Sequence, residues 1–304
     1  MKLLQIIFSL FLVFFPTSNG ALTGNESAAN AAPLPVVLWH GMGDSCCFPF
    51  SLGSIKKLIE QQIPGIHVVS LKIGKSLIED YESGFFVHPD KQIQEVCESL
   101  QNDLTLANGF NAIGFSQGSQ FLRGLVQRCS SIQVRNLISI GGQHQGVFGL
   151  PYCPSLSRKT CEYFRKLLNY AAYEKWVQKL LVQATYWHDP LNEDAYRTGS
   201  TFLADINNER QINNDYINNI RKLNRFVMVK FLNDSMVQPI ESSFFGFYAP
   251  GTDTEVLPLK QSKIYLEDRL GLQSVPIDYL ECGGDHLQFT KEWFIKFIIP
   301  YLKQ

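Results

Sequence analysis

The chain has 304 residues, of which 45% are hydrophobic, and this length allows one large domain with a substantial core. A miniprotein held together only by disulfides is therefore excluded. The 27 basic and 28 acidic residues give a net charge of −1, which provides no electrostatic basis for binding nucleic acid or a generally anionic membrane surface. We expect one elaborated domain with a nearly neutral surface and no nucleic-acid partner.

The first residues have the layout of a secretory signal peptide. A basic residue precedes the apolar run 3–15, and Pro16 and several small or polar residues follow it. Because the run is shorter than the roughly 20 residues that a membrane span needs, a cleaved peptide is favoured over a signal anchor. We predict a signal peptide at 1–20, an N-terminal segment at 21–34 and a folded domain at 35–304, without a transmembrane segment in the mature chain.

The seven cysteines fit the oxidising compartment that a signal peptide implies. Their spacing does not fix the connectivity, and the odd number leaves at least one cysteine unpaired within the chain. A zinc site is the alternative, but no Cys-X-X-Cys pair with a second ligand pair at the spacing of a zinc finger is present. We favour disulfides and expect no metal site. Sequons at Asn25 and Asn233 are candidate glycosylation sites.

Short apolar runs that end in glycine-rich turns alternate with amphipathic segments along the chain. The predicted strands are 36–39, 67–71, 110–113, 134–140, 226–232 and 277–280. Apolar residues at helical spacing between them predict helices, and this alternation is typical of a mostly parallel sheet with helices on both faces. The alternation is lost between about 143 and 224, which we interpret as an inserted, largely helical lobe.

The third predicted strand runs directly into Gly114-Phe115-Ser116-Gln117-Gly118, and the apolar stripe of a helix follows. A serine at the centre of this pattern, between a strand and a helix, is the signature of a nucleophile elbow, because the glycines permit a sharp turn that exposes the hydroxyl. The five-residue pattern alone is common, and its strand and helix context makes it specific. Ser116 is the candidate nucleophile.

A serine hydroxyl needs a base to remove its proton, and the base needs a carboxylate to orient it. His286 is favoured because it lies in a glycine-flanked loop after the last predicted strand. The remaining histidines fit less well and are interpreted as structural or surface residues: His40, His67, His88, His144 and His188. Asp234, directly after the strand 226–232, is the candidate acid. Asp285 is the alternative, but as the neighbour of His286 it is poorly placed to reach Nδ1, and we expect it to cap a turn.

A tetrahedral intermediate needs backbone donors directed at its oxyanion. Gln117 follows the nucleophile and supplies one N–H group, and Met42, in the turn after the first strand, is the candidate for the second. The alternative for His40-Gly41-Met42-Gly43 is an ordinary strand-to-helix turn. This chemistry requires no cofactor.

Five separated motifs, in the same order along the chain, resemble the lysosomal palmitoyl-protein thioesterase family, in particular its type-one members. The resemblance runs from about Pro35 to Tyr301. The motifs are Trp39-His40-Gly41-Met42-Gly43-Asp44-Ser45-Cys46-Cys47, the elbow Gly114 to Gly118, Gly141-Gly142-Gln143-His144-Gln145-Gly146-Val147, Phe231-Leu232-Asn233-Asp234-Ser235 and Gly284-Asp285-His286-Leu287-Gln288. It implies an α/β-hydrolase that removes long-chain acyl groups, palmitoyl above all, from cysteine thioesters of proteins and peptides during lysosomal degradation.

The resemblance also implies roles for particular residues. The catalytic positions fall on Ser116, Asp234 and His286, and the oxyanion donors on Met42 and Gln117. The implied disulfides are Cys46–Cys47, Cys97–Cys129 and Cys153–Cys161, which leaves Cys282 free. In this family the inserted region helps to form an apolar groove for the acyl chain, for which Trp176, Leu180, Leu181, Trp187 and Phe202 are candidates. Sorting by a mannose-6-phosphate receptor, with some secretion, would then depend on the sequons.

Two other functions remain compatible with the sequence. An oxyester lipase or esterase would use the same three side chains, because nothing local to Ser116 excludes an oxygen ester. A catalytically silent lipid carrier would keep the groove alone, which the intact serine, histidine and aspartate set disfavours.

Overall fold

Six parallel strands form the central sheet of the protein. The structure is a computed structural model that describes residues 32–149 and 158–303. The described residues contain eight strands in all, which are β1 (Val36–Trp39), β2 (Val68–Ser70), β3 (Phe110–Phe115), β4 (Val134–Ile140), β5 (Arg225–Phe231), β6 (Phe247–Tyr248), β7 (Val256–Leu257) and β8 (Ile277–Cys282). The central sheet has the order β2-β1-β3-β4-β5-β8, and β6 and β7 form a separate antiparallel pair. The six predicted strands are confirmed, with ends that differ by one or two residues.

Helices connect the strands of the sheet. They are α1 (Leu52–Gln62), α2 (Leu77–Phe86), α3 (Pro89–Gln101), α4 (Gln117–Arg128), α5 (Arg158–Ala171), α6 (Lys175–Leu180), α7 (Glu193–Gly199), α8 (Leu203–Ile206), α9 (Asn214–Ile220), α10 (Lys263–Leu266), α11 (Lys291–Phe297) and α12 (Ile299–Leu302). Within the described parts of the chain, no helix is long and apolar enough to span a bilayer.

The sheet is buried on both faces. Because side chains alternate along a strand, Val37 and Trp39 of β1 enter one hydrophobic cluster and Val36 and Leu38 enter the other. The first cluster includes apolar residues of α3 and α4, and the second includes those of α1, α11 and α12. The predicted fold class, a mostly parallel sheet covered by helices on both faces, is therefore confirmed.

The chain between β4 and β5 contains helices α5 to α9. A hydrophobic cluster of its own joins α5, α6 and the 3₁₀ helix Val182–Tyr186. This segment is fastened to α4 by the fully buried Arg123, whose guanidinium donates to the Ile206 carbonyl at 3.1 Å and to Asn207 Oδ1 at 2.8 Å. The helix after the predicted elbow thus holds the inserted segment against the sheet.

Helix α2 was not predicted, because its large apolar residues lie on the exposed face of the helix and not on the buried face. The buried positions are the polar or small Asp80, Ser83 and Gly84. Large apolar side chains are exposed instead, among them Ile78 at 70% and Phe86 at 54%. Periodicity analysis looks for apolar residues on the buried face and therefore overlooks such a helix.

Two of the three implied disulfides are present. Cys46 is bonded to Cys47, and Cys97 is bonded to Cys129. The Cys153–Cys161 pairing lies outside the described residues, as do the signal peptide at 1–20 and the sequon at Asn25. Among the described cysteines, Cys282 has a free, buried thiol.

Candidate active site

Ser116 stands between β3 and α4 in a strained backbone conformation. Its φ of 50° and ψ of −121° lie in a region that residues other than glycine rarely occupy. The turn is held by the Ser116 N–H, which donates to the Ile140 carbonyl at the end of β4, at 2.8 Å. The hydroxyl therefore lies at the carboxyl ends of the strands, as expected of a nucleophile elbow.

The two glycines of the elbow are required by close contacts. A Cβ atom on Gly118 would overlap the His40 carbonyl oxygen and lie 2.5 Å from that of Trp39, and one on Gly114 would lie 2.5 Å from the Ser119 nitrogen. These neighbours are backbone atoms of the chain around β1 and in α4, which cannot move aside as a side chain can. The sharp turn at Ser116 therefore depends on both glycines.

His286 links Ser116 to Asp234 by hydrogen bonds. His286 Nε2 lies 2.8 Å from Ser116 Oγ, and Nδ1 lies 2.7 Å from Asp234 Oδ2. The Asp234 side chain is only 1% exposed, and its Oδ1 accepts from the N–H groups of Met236 and Val237, each at 2.8 Å. The carboxylate is thereby fixed with one oxygen toward the ring. Such an arrangement can take a proton from a hydroxyl and stabilise the imidazolium that results.

Asp285, the alternative acid, contacts other groups. Its carboxylate accepts from the N–H of His286 at 2.6 Å, and from the N–H and hydroxyl of Ser235 at 2.8 and 3.0 Å. The hydrogen bonds from the His286 and Ser235 backbone hold the pKa of Asp285 below its usual value. Asp285 therefore ties together the loops after β5 and β8, while Asp234 lies against the imidazole.

The glycine-rich turn after β1 lies beside the serine. A Cβ atom on Gly41 would be 3.1 Å from Ser116 Cβ and 3.8 Å from its Oγ. Among the residues described, neither the Met42 N–H nor the Gln117 N–H donates to a backbone carbonyl of a turn, loop or helix cap. Both are therefore available to an oxyanion formed next to Ser116.

Two residues of the inserted segment contact this region and were not predicted. The Tyr186 hydroxyl donates to Gln117 Oε1 at 3.0 Å. Gln183 Nε2 contacts the sulfur of Met42 and donates to the Gly84 carbonyl at 3.2 Å, and Gln117 Nε2 donates to the same carbonyl at 3.1 Å. These bonds join α2 and the 3₁₀ helix Val182–Tyr186 to both predicted oxyanion donors. No sequence motif marks them, because each partner lies far away along the chain.

The five candidates for the acyl groove do not share one environment. Leu181 and Trp187 are buried in the hydrophobic cluster of the inserted segment, and Phe202 is buried in the main core, where its ring packs against α4. Trp176 and Leu180, both on α6, are 55% and 56% exposed. Their role in binding an acyl chain stays a prediction, and the α6 side chains are the accessible part of the set.

The sequon asparagine Asn233 precedes Asp234 directly. Its side chain is exposed, and its Nδ2 donates to the Gly283 carbonyl at 2.6 Å. The exposure fits the predicted glycosylation, which stays a prediction.

Comparisons with known proteins agree with the five sequence motifs. A family model described as palmitoyl protein thioesterase matches residues 35–286. "Palmitoyl-protein thioesterase 1" of Caenorhabditis elegans is 47% identical over 92% of this chain and 95% of its own. "Palmitoyl-protein thioesterase 3" of Dictyostelium discoideum is 39% identical, with shares of 90% and 93%. "Lysosomal thioesterase PPT2" of Bos taurus is 31% identical, with shares of 88% and 84%. The resemblance is therefore confirmed, and the chain belongs to the palmitoyl protein thioesterase family.

Proposed function

We propose that the protein hydrolyses thioesters between long-chain fatty acids, palmitate above all, and cysteine residues of S-acylated proteins and peptides. The observation that carries this proposal is the chain of hydrogen bonds from Ser116 through His286 to Asp234. The available backbone N–H groups of Met42 and Gln117 lie beside it. Membership of the family supports the thioester as the scissile bond, because the relatives from C. elegans and D. discoideum are named palmitoyl-protein thioesterases.

Acylation begins when Ser116 Oγ attacks the thioester carbonyl carbon and its proton moves to His286 Nε2. The carbonyl oxygen becomes an oxyanion that accepts hydrogen bonds from the N–H groups of Met42 and Gln117. The C–S bond then breaks, His286 returns the proton to the cysteine sulfur, and the acyl group remains on Ser116. Asp234 holds the imidazole in the tautomer that accepts the serine proton.

Deacylation repeats these steps with water as the nucleophile. His286 takes a proton from the water, the hydroxide oxygen bonds to the acyl carbon, and the Ser116 oxygen leaves with the proton that His286 gives back. The sum is one thioester and one water converted into a fatty acid and a thiol. Every proton and electron pair is accounted for without a cofactor.

Exposed apolar side chains on helices α2 and α6 support a long acyl substrate. Ile78 and Phe86 on α2, and Trp176 and Leu180 on α6, are each more than half exposed. Helix α2 reaches the oxyanion turn, because Gly84 lies where an added Cβ would be 3.4 Å from Met42 Cα. A methylene removed from water contributes about 0.8 kcal/mol, so a sixteen-carbon chain contributes on the order of 10 kcal/mol before the cost of ordering it.

Hydrolysis of a series of acyl thioesters of increasing chain length by the wild type and by Ser116→Ala tests the proposal. For the wild type, we expect kcat/KM to rise with each methylene by up to about fourfold, the limit set by the transfer free energy. Ser116→Ala should lose about 10⁴-fold or more in kcat, because no acyl-enzyme forms. Equal rates for the two proteins would contradict the mechanism. Faster turnover of the matched palmitoyl oxyester would instead favour an esterase, and a wild type that resists labelling by a fluorophosphonate would favour a lipid carrier.

We also propose that the protein acts in the lysosome, reached through the secretory pathway. The relative from B. taurus is named a lysosomal thioesterase, and the exposed sequon at Asn233 offers a site for the glycan that a mannose-6-phosphate receptor binds. Immunofluorescence should place the protein with a lysosomal membrane marker. The same staining of an Asn233→Gln variant should show reduced lysosomal signal, and an exclusively extracellular wild type would refute the proposal.

A further inference from the structure

A buried pair of ionisable side chains lies next to the turn that carries Met42. His40 is 3% exposed and Asp80, on α2, is 0% exposed. His40 Nε2 lies 3.1 Å from Asp80 Oδ1, and His40 Nδ1 lies 2.8 Å from the Gly41 carbonyl oxygen. Neither side chain takes part in the mechanism proposed above.

The partners of His40 determine its protonation. A carbonyl oxygen and a carboxylate can only accept hydrogen bonds, so both ring nitrogens must donate, and the ring must be an imidazolium. Burial alone would lower the pKa of His40, but the hydrogen bond and the negative charge of Asp80 outweigh burial and raise that pKa. Among the described residues, the negative charge of Asp44 also raises the pKa of His40. The first turn of α4, which packs against the His40 carbonyl, carries no acidic residue.

Asp80 is itself held by three further donors. Its Oδ2 accepts from the Ser45 hydroxyl and the Cys46 N–H, each at 2.8 Å, and its Oδ1 accepts from the Ile73 N–H at 2.7 Å. These groups belong to the turn after β1 and to the chain after β2. The carboxylate therefore has a fixed position relative to the sheet, and the His40 ring that it binds is fixed as well.

The Gly41 carbonyl and the Met42 N–H belong to one peptide group. Because a trans peptide is planar, its C=O and N–H bonds point in opposite directions, and fixing the oxygen fixes the direction of the hydrogen. His40 Nδ1 donates to this oxygen at 2.8 Å, and the Asp44 N–H donates to it at 3.3 Å. The contact from His40 is the shorter of the two.

We propose that His40, held by Asp80, is a positioning residue that fixes the Gly41–Met42 peptide plane and thereby directs the Met42 N–H at the oxyanion. This inference rests on the proposed hydrolase function, because it concerns the oxyanion of that reaction. It gives α2 a part in catalysis, since the residue that orients His40 comes from that helix.

Two isosteric variants separate the two ring nitrogens. In His40→Asn, the side-chain amide nitrogen occupies about the position of Nδ1 and retains a donor toward the Gly41 carbonyl. In His40→Gln, the amide nitrogen reaches about the position of Nε2, so that the donor toward Asp80 is kept and the donor toward Gly41 is lost. Both variants remove the positive charge, which makes each the control for the other.

For His40→Gln, we expect kcat on a palmitoyl thioester to fall by about 10²-fold, the lower end of the effect of losing one oxyanion donor, with KM nearly unchanged. The inhibition constant of a palmityl trifluoromethyl ketone, which forms a tetrahedral oxyanion on the serine, should rise in parallel. For His40→Asn, the loss in kcat should be smaller, about tenfold or less. Melting temperatures establish that each variant is folded.

The inference is overturned if the two variants lose kcat equally, if His40→Asn loses more, or if the loss appears in KM while the ketone binds as before. Nitrogen-15 NMR of the histidine-labelled wild type needs no variant to fold. A neutral His40 ring below pH 6.5, the usual pKa of the group, would also overturn it. A wild type that cleaves p-nitrophenyl esters but no palmitoyl thioester would refute only the proposed substrate, and the variants would then be compared on the ester.

Discussion

Replacing Asp234 with asparagine is expected to lower kcat by about 10⁴-fold while the protein stays folded. Asp234 Oδ1 accepts from two backbone N–H groups, those of Met236 and Val237, and the carbonyl oxygen of the new amide side chain can take over both bonds. The amide nitrogen must then face His286 Nδ1. A donor in that place requires Nδ1 to be an acceptor, so the ring proton moves to Nε2, and the ring can no longer accept the proton of Ser116.

The matched control is Asp285→Asn, one residue from the same histidine. The carboxylate oxygens of Asp285 accept from Ser235 and from the His286 N–H. Neither oxygen is hydrogen-bonded to the His286 ring, whereas Asp234 Oδ2 is. An amide can make most of these bonds, so we expect kcat to change by less than about tenfold, far below the loss from a wrong tautomer. Steady-state rates on a palmitoyl thioester compare the two variants. A larger loss from Asp285→Asn than from Asp234→Asn would show that the acid is misassigned.

The second large effect is expected on stability and concerns Arg123. This guanidinium is fully buried, is bound by no carboxylate among the described residues, and donates to the carbonyls of Ile206 and His144 and to the side chains of Gln127 and Asn207. Burial lowers the pKa of Arg123 to about 9, so it remains a cation at neutral pH. Arg123→Ala leaves two side-chain oxygens without this donor and opens a cavity, which together should lower the free energy of unfolding by about 3–5 kcal/mol.

Chemical denaturation measures this change. Arg123→Met fills much of the same volume without donors, so its loss should be smaller than that of Arg123→Ala, and the difference reports the cavity. Lys57 on α1 is exposed, and Lys57→Ala serves as the surface control. Its free energy of unfolding should stay within about 0.5 kcal/mol of the wild-type value. If Arg123→Ala were as stable as Lys57→Ala, the guanidinium would not be what fastens the inserted segment to α4.

The sequence was sufficient to predict the sheet and the three candidate side chains for a common physical reason. Buried parallel strands appear as short apolar runs, and the residues that follow them, such as Ser116 and Asp234, must lie at one edge of the sheet. The position of His286 after the last strand then follows from the order of the elements. Local patterns and the order of the elements along the chain carry this information.

What the sequence could not predict depends on contacts between distant segments. The buried face of α2 is formed by Asp80, Ser83 and Gly84, which as a pattern resembles a polar surface. The contacts of Gln183 with Met42 and Gly84, and of Tyr186 with Gln117, require the inserted segment to fold back toward α2 and α4. His40 looked like an ordinary structural histidine, since its significance comes from the direction of one peptide plane.

The line of hydrogen bonds from Ser116 to Asp234 also affects when the chain becomes reactive during folding. Ser116 and His286 are 170 positions apart, His286 and Asp234 are 52 apart, and the three residues follow β3, β5 and β8. They meet only after strands far apart in the sequence have paired in register, which is a slow event in folding because long loops must close first. A newly made chain should therefore hold an inert serine until its sheet is complete, so that chemical reactivity itself reports correct folding.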